Sequence, residues 1–196
     1  GASIGGSGTG TVTITGTPTG TLASANAGTR AMSSLAGLSI SSTNYTLTGG
    51  TGTVTVTPAS ITVTALGGTS VYGASPANPG LSASGLQNGD NEAVLTGLAN
   101  SFGITGTSGV AGSPYTLSVT GTLTNTNYTI SARNTGTWIV TPAPVVVTAL
   151  GGTSVYGASP VNPGLQATGL QNGESPAVLT GLSNSFGIDN LSSVGG

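Results

Sequence analysis

Few residues of this 196-residue chain can do chemistry. Its charges are Asp90, Glu92, Glu174 and Asp189 against Arg30 and Arg133, and it has no histidine, cysteine or lysine. Without histidine and cysteine, the usual zinc, haem and Cys/His or Ser/His/Asp nucleophile arrangements cannot be built. Disulfides and thiolate chemistry are excluded as well. Asp90 and Glu92 form the one acidic pair close in sequence. Two carboxylates begin a glycosidase or aspartic-protease argument only if they converge in space. Eighty-four positions later the corresponding residues are Glu174 and Pro176, so the Glu92 carboxylate is not repeated. Asp90 therefore reads as a turn residue or the N-cap of a short helix over Ala93-Val94-Leu95. Calcium is the rival ligand at Asp90 and Glu92, but neither an EF-hand spacing nor a GGxGxD nonapeptide is present. The glycine strings lack the GxxxxGK[ST] phosphate loop. No catalytic residue, resident metal or cofactor follows, and the chain reads as a non-enzyme.

The acids sit inside a duplication. ALGGTSVYGASP at Ala65–Pro76 returns unchanged at Ala149–Pro160, and over Ala65–Ile104 the copies agree at 33 of 40 positions. A period of 84 suits one small domain per repeat, not a solenoid coil. The first copy aligns from Ala27, through Asn44-Tyr45-Thr46 against Asn127-Tyr128-Thr129 and Thr57-Pro58 against Thr141-Pro142. This gives a partial repeat at 1–58 (a lead-in plus the closing half of a unit), a complete repeat at 59–142, and the opening half of a third at 143–196. The chain reads as a piece of a longer polypeptide. Tyr72 and Tyr156, Tyr45 and Tyr128, and Phe102 and Phe186 recur at the repeat spacing. They read as core or junction anchors, with a sugar-stacking ladder as the alternative. Val54 replaces Trp138 in the earlier copy, so a tryptophan is not required there.

A net charge of −2 with two arginines cannot neutralise a run of phosphates, which excludes nucleic acid. It also removes polybasic membrane binding. No segment approaches 18 consecutive apolar residues, so membrane insertion is not expected, and the mean hydropathy of +0.26 reflects missing charge. Asn44, Asn127 and Asn190 begin N-glycosylation triplets. A surface of Thr, Ser, Asn and Gly does little to keep copies apart.

The elements that must position these residues are short strands. Thr11–Thr15 and Ile61–Ala65 alternate apolar and polar residues, the period of a half-buried strand, and Val145–Ala149 opens the next copy. Gly16–Gly20 is a turn, Leu22, Met32, Leu35 and Leu38 are candidate buried positions, and Ala31–Leu38 is either helical or a loose strand. Gly67-Gly68 reads as a flexible joint and Ser70–Tyr72 as a short strand. Leu81–Leu86, Asn100–Ile104, Tyr115–Thr120, Tyr128–Ile130 and Thr137–Val140 are further strands. Pro76 and Pro79 keep the segment between them out of a sheet interior, and Asn88-Gly89 is a turn signal. Pro58, Pro142 and Pro144 mark short, stiff joints between units. The expected fold is predominantly antiparallel β: tandem small β domains, each with one short helix, in a rod.

The order of motifs in the complete unit carries a resemblance. Ile61–Ala65 opens it, followed by Val71-Tyr72-Gly73, Asn88-Gly89-Asp90, Val94–Gly97, Asn127-Tyr128-Thr129 and the closing Val140-Thr141-Pro142. This is similar to the MBG repeats, glycine-rich bacterial domains found in tandem in very large surface proteins of the filamentous haemagglutinin type. The resemblance implies an extracellular or cell-surface stalk or adhesin repeat with no catalysis. The family's YGDxxP acid is replaced here by Ala74 and Ala158.

The function expected is thus a structural or adhesive repeat segment, as a stiff stalk or a self-assembling filament. The alternative is a module holding carbohydrate or a host ligand on its repeated aromatics, and a glycan-active enzyme stands third. The expected partners are further repeats, either in the same polypeptide or in other copies that complete the half-repeats, together with surface glycans.

Overall fold

The computed structural model describes residues 14–15, 24–32, 39–41, 43–46 and 52–193. Among them the chain is predominantly β, in small antiparallel and mixed sheets, with no helix longer than one 3-10 turn. In order, the strands are β1 (Ile14–Thr15), β2 (Gly28–Met32), β3 (Ser39–Ile40), β4 (Gly52–Val56) and β5 (Ala59–Ala65). There follow β6 (Gly68–Val71), β7 (Leu81–Ser84), β8 (Leu98–Asn100), β9 (Tyr115–Leu117) and β10 (Val119–Gly121). The last four are β11 (Tyr128–Asn134), β12 (Gly136–Thr141), β13 (Val146–Ala149) and β14 (Leu165–Thr168). Single 3-10 turns occupy Glu92–Val94, Val110–Gly112 and Pro176–Val178. The expected short helix is thus one tight turn in each copy. The strand expected from Thr11 is described only at Ile14–Thr15. The Gly16–Gly20 turn and Leu22, Leu35 and Leu38 lie outside the described residues, whereas Ala31 and Met32 lie in β2, a strand.

The chain divides into two compact units, each drawn from three segments. The first comprises Gly1–Thr62, Ser84–Gly97 and Thr122–Ala132. In it β2 and β4 pair antiparallel with Arg30 opposite Val54. The Arg30 guanidinium is spent on the backbone carbonyls of Asn26 and Ala27. Ile61, Leu95 and Tyr128 are its buried apolar residues among those described. Ser131 Oγ donates to the Ile61 carbonyl at 2.9 Å, satisfying an acceptor next to that small core.

The second unit comprises Val63–Ala83, Leu98–Gly121 and Arg133–Gly196. It is built around β12, which pairs parallel with β6 and antiparallel with β9. Alternation along β12 buries Trp138 and Val140 and leaves Thr137, Ile139 and Thr141 exposed. Trp138 meets Phe102 edge to face, with ring centroids 5.0 Å apart, and its indole N–H donates to Ser70 Oγ at 3.0 Å. The aromatic body is buried and its polar handle is satisfied. Val63, Ala65, Ile104, Leu117 and Val119 complete this core.

Three expectations are corrected here. Gly67-Gly68 is not a loose joint but a place of close approach. A Cβ on Gly67 would stand 2.1 Å from the Thr137 carbonyl oxygen, and one on Gly68 would stand 2.6 Å from the Trp138 ring. Asn100–Ile104 is not a strand, since β8 ends at Asn100. The Asn100 side chain turns inward and donates to the carbonyls of Leu66 (2.9 Å) and Gly80 (2.8 Å). Finally, Tyr115–Thr120 is two strands. β9 pairs with β12 and β10 with β8. At the switch, Ser118 exchanges hydrogen bonds with Ser101 through its backbone N–H and C=O.

Candidate functional site

The acidic residues of the two copies stand on the same turn. Asn88 and Gly89 have φ of 58° and 78°, and Asn172 and Gly173 have 54° and 74°. Two successive positive φ values make the tight mirror-type turn that Asn-Gly favours. The turn is closed by Asp90 N–H to the Gln87 carbonyl at 3.0 Å and by Glu174 N–H to the Gln171 carbonyl at 2.9 Å. Asp90 does not cap the following 3-10 turn. That role falls one residue later, to Asn91, whose side chain accepts from the Ala93 N–H at 2.9 Å. In the second copy Ser175 occupies the cap position without a side-chain bond, and Pro176 stands at the start of the turn. The carboxylates are thereby available for something else.

Each of them receives a tyrosine hydroxyl, and the tyrosines differ. In the first unit the Tyr128 hydroxyl donates to Asp90 Oδ2 and accepts the Gln87 N–H at 3.1 Å. Tyr128 is buried and Asp90 exposed. The neighbouring carboxylate raises the Tyr128 pKa from its ordinary value of 10.0, because only the protonated phenol can donate to it. Around this contact lies a depression of about 310 Å³, lined by Asn26, Val56, Ala59, Gln87, Asp90 and Asn127 among others. Asn127 holds its wall: its amide oxygen accepts the Ala27 N–H at 2.8 Å and its amide nitrogen donates to Asn26 Oδ1 at 3.1 Å.

In the second unit Tyr72 donates to Glu174 Oε1 at 2.7 Å. Gln171 packs so closely there that a Cβ on Gly73 would stand 2.5 Å from its side chain. Asn172 Nδ2 donates to the Gly106 carbonyl at 3.0 Å. The depression here, about 200 Å³, includes Tyr72, Val110, Ala143, Gln171 and Glu174. Ala59 and Ala143, Gln87 and Gln171, Asp90 and Glu174, and Asn26 and Val110 are pairs at a separation of 84. The two depressions are one repeat junction seen twice. The first has the tyrosine that follows the acid in sequence, and the second has the tyrosine that precedes it.

The remaining sequence candidates fall as follows. Phe102 is half-buried against Trp138, and Phe186 is half-buried in the last copy. Tyr45 and Tyr156 are 61% and 66% exposed. Pro58, Pro142 and Pro144 are exposed in the links between β4 and β5 and between β12 and β13. Glu92 is exposed in its 3-10 turn, and no group of three or more acidic residues that could hold a metal occurs among the described residues. Of the glycosylation triplets, Asn44 and Asn190 are exposed, whereas the Asn127 amide is engaged in the junction. Sequence reasoning missed Trp138 as the centre of its core and the pairing of each acid with a tyrosine. The signal for the second was present, since the position keeps a carboxylate in both copies while the two residues after it change from Asn91-Glu92 to Ser175-Pro176.

No curated protein and no solved structure matches the chain. Residues 61–137 match the family model of the MBG domain, YGX type. The motifs Val71-Tyr72-Gly73 and Asn88-Gly89-Asp90, which supply the junction tyrosine and the acidic turn, lie within that match. Over this stretch the chain is similar to the MBG domain of the YGX type.

Proposed function

We propose that the chain is a structural segment of a bacterial cell-surface protein, in which successive MBG repeats lock end to end as a stalk. The observation that carries this reading is the recurrence of one junction. The acidic turns after β7 and after β14 stand 84 residues apart; Tyr128 holds the first from within the same repeat, and Tyr72 of the complete repeat holds the second, in the repeat that follows. The apolar joint residues Ala59 and Ala143 line the same depressions. Tyr72 and Glu174 join the complete repeat to the one that follows, and Tyr128 and Asp90 fix the same turn within the complete repeat. The near absence of charge fits a chain that packs against like chains, and repeats of this family suit an extracellular setting.

The exposure of Tyr45 and Tyr156 favours carbohydrate stacking as a second reading. Calorimetric titration of the chain with a panel of glycans separates the two. The stalk reading expects no saturable heat. A saturable isotherm abolished by Tyr156→Ala would overturn it in favour of a glycan-binding module.

A further inference from the structure

One polar atom of the second unit's core has nothing to bond. Asn100 is 7% exposed, and its amide nitrogen donates to the carbonyls of Leu66 at 2.9 Å and Gly80 at 2.8 Å. Its Oδ1 is buried without a partner. An amide oxygen has two lone pairs, and leaving both unmet away from solvent is costly. Exchanging the oxygen and the nitrogen does not help, because it would set an acceptor against two carbonyls and lose both bonds. The partner that Asn100 lacks is a donor.

A donor stands next to it in the same network. The segment Ala74–Gly80 lies between β6 and β7 and ends on Asn78-Pro79-Gly80. Asn78 Oδ1 accepts the Gly80 N–H at 2.9 Å. The Gly80 carbonyl accepts the Leu66 N–H at 3.1 Å as well as the Asn100 amide. Asn78 is exposed, and its Nδ2 has no partner among the described residues. An unused donor and an unused acceptor are thus linked through one glycine.

The same residues 84 positions later show that the two side chains can meet. There Asn162 Nδ2 donates to Asn184 Oδ1 at 2.7 Å, while Asn162 Oδ1 still accepts the Gly164 N–H at 2.9 Å. Gly80 and Gly164 have φ of 82° and 81°. The Leu150 N–H reaches the Gly164 carbonyl at 3.0 Å, as Leu66 reaches Gly80. The turn is the same with the bond and without it, so forming it asks only for side-chain rotation.

We propose that Ala74–Gly80 is a strap with an open and a latched state, and that Asn100 is its catch. Latching brings Asn78 Nδ2 onto Asn100 Oδ1 and loosens the Asn100 bond to the Leu66 carbonyl. Leu66 is 36% exposed, so solvent replaces that bond, whereas Asn100 Oδ1 is closed to solvent in the open state. The exchange favours the latched state. Leu66, Asn78, Gly80 and Asn100 all lie between Ala59 and Pro142, and a buried atom is already enclosed by its own neighbours. The latch is therefore complete within one repeat, whatever precedes or follows it.

Hydrogen exchange read by NMR on the whole chain tests this. In the parent, an Asn78 side-chain amide proton should exchange about tenfold more slowly than a free asparagine amide, the protection of one internal hydrogen bond. Asn78→Asp keeps the oxygen that accepts the Gly80 N–H and removes the donor. The Leu66 amide, held by the Gly80 carbonyl, should then exchange about tenfold faster than in the parent. Asn91→Asp is the control: it brings the same charge, keeps the bond to the Ala93 N–H and should leave Leu66 unchanged. Both asparagines are exposed, so neither change threatens the fold. An Asn78 amide that exchanges at the free rate overturns the proposal, and so does Leu66 protection unaltered by Asn78→Asp. Neither result touches the stalk reading, which the glycan titration tests.

Discussion

At the scale of single residues, the contacts that matter are polar groups that satisfy one another across distant parts of the chain. Tyr128 is the clearest case. Its pKa is raised by the adjacent Asp90 carboxylate. A folded-state pKa above the unfolded one contributes stability that is present below pH 10 and lost as pH climbs through the folded value. Denaturant midpoints of the parent should therefore fall between pH 9 and ~11 more steeply than those of Tyr128→Phe. Equal slopes would show that the Asp90 bond is not coupled to folding. Asn100 is the second case. It is 7% exposed and bridges the Leu66 and Gly80 carbonyls. Its own Oδ1 is buried without a partner. In the other copy Asn184 Oδ1 accepts from Asn162 Nδ2 at 2.7 Å, a bond that Asn78 does not make to Asn100. Asn100→Ala removes the bridge and should cost ~1–3 kcal/mol, the penalty for a buried acceptor left unsatisfied. Urea unfolding measures it, and a loss below ~0.5 kcal/mol would mean that water takes the place of the amide.

At the scale of elements, the same sequence behaves differently in its two settings. Gly68 begins β6 under the face of Trp138, and a methyl group there would stand 2.6 Å from the ring. Trp138 is rigid and fixed by Ser70 and Phe102, so it cannot give way cheaply. Gly68→Ala should destabilise by ~1–3 kcal/mol, as overpacking usually does. Gly152 has the same neighbours in sequence, but the nearest atom to its added Cβ is Pro163 Cγ at 3.8 Å. Gly152→Ala should change the unfolding midpoint little. Equal effects at the two sites would show that backbone preference, and not the ring, selects glycine. β9 and β10 make a related point: a run that alternates well enough to read as one strand is divided at Ser118 between two sheets.

At the scale of the whole molecule, the stalk reading depends on stiff links between repeats. Thr57-Pro58 and Pro142–Val145 leave few residues between closing and opening strands. Proline at 142 and 144 fixes φ and reduces the conformations available to the link. Replacing both with glycine should broaden the distance distribution measured by small-angle scattering. An unchanged distribution would mean that the Tyr72–Glu174 contact, and not proline, sets the joint. A triple variant that also carries Tyr72→Phe would then show the broadening.

The amino-acid sequence alone determined the duplication, the family of its middle repeat, the β class and the poverty of reactive groups. These follow from identity at a fixed offset, period-two alternation and residue counts, which need no partner in space. It also located both acids on Asn-Gly turns, since positive φ is a local property of those residues. It did not determine which side chain meets which. Ala65–Pro76 and Ala149–Pro160 are the same twelve residues, yet Gly68–Val71 is a strand and Gly152–Val155 is not. A strand exists through hydrogen bonds to a neighbour, and β12 stands beside the first copy, while no strand pairs with the second among the described residues. The same holds for the tyrosines. Whether one is a buried donor, a junction clasp or an exposed ring depends on the acid that the tertiary structure brings to it, 38 residues away for Tyr128 and 102 for Tyr72.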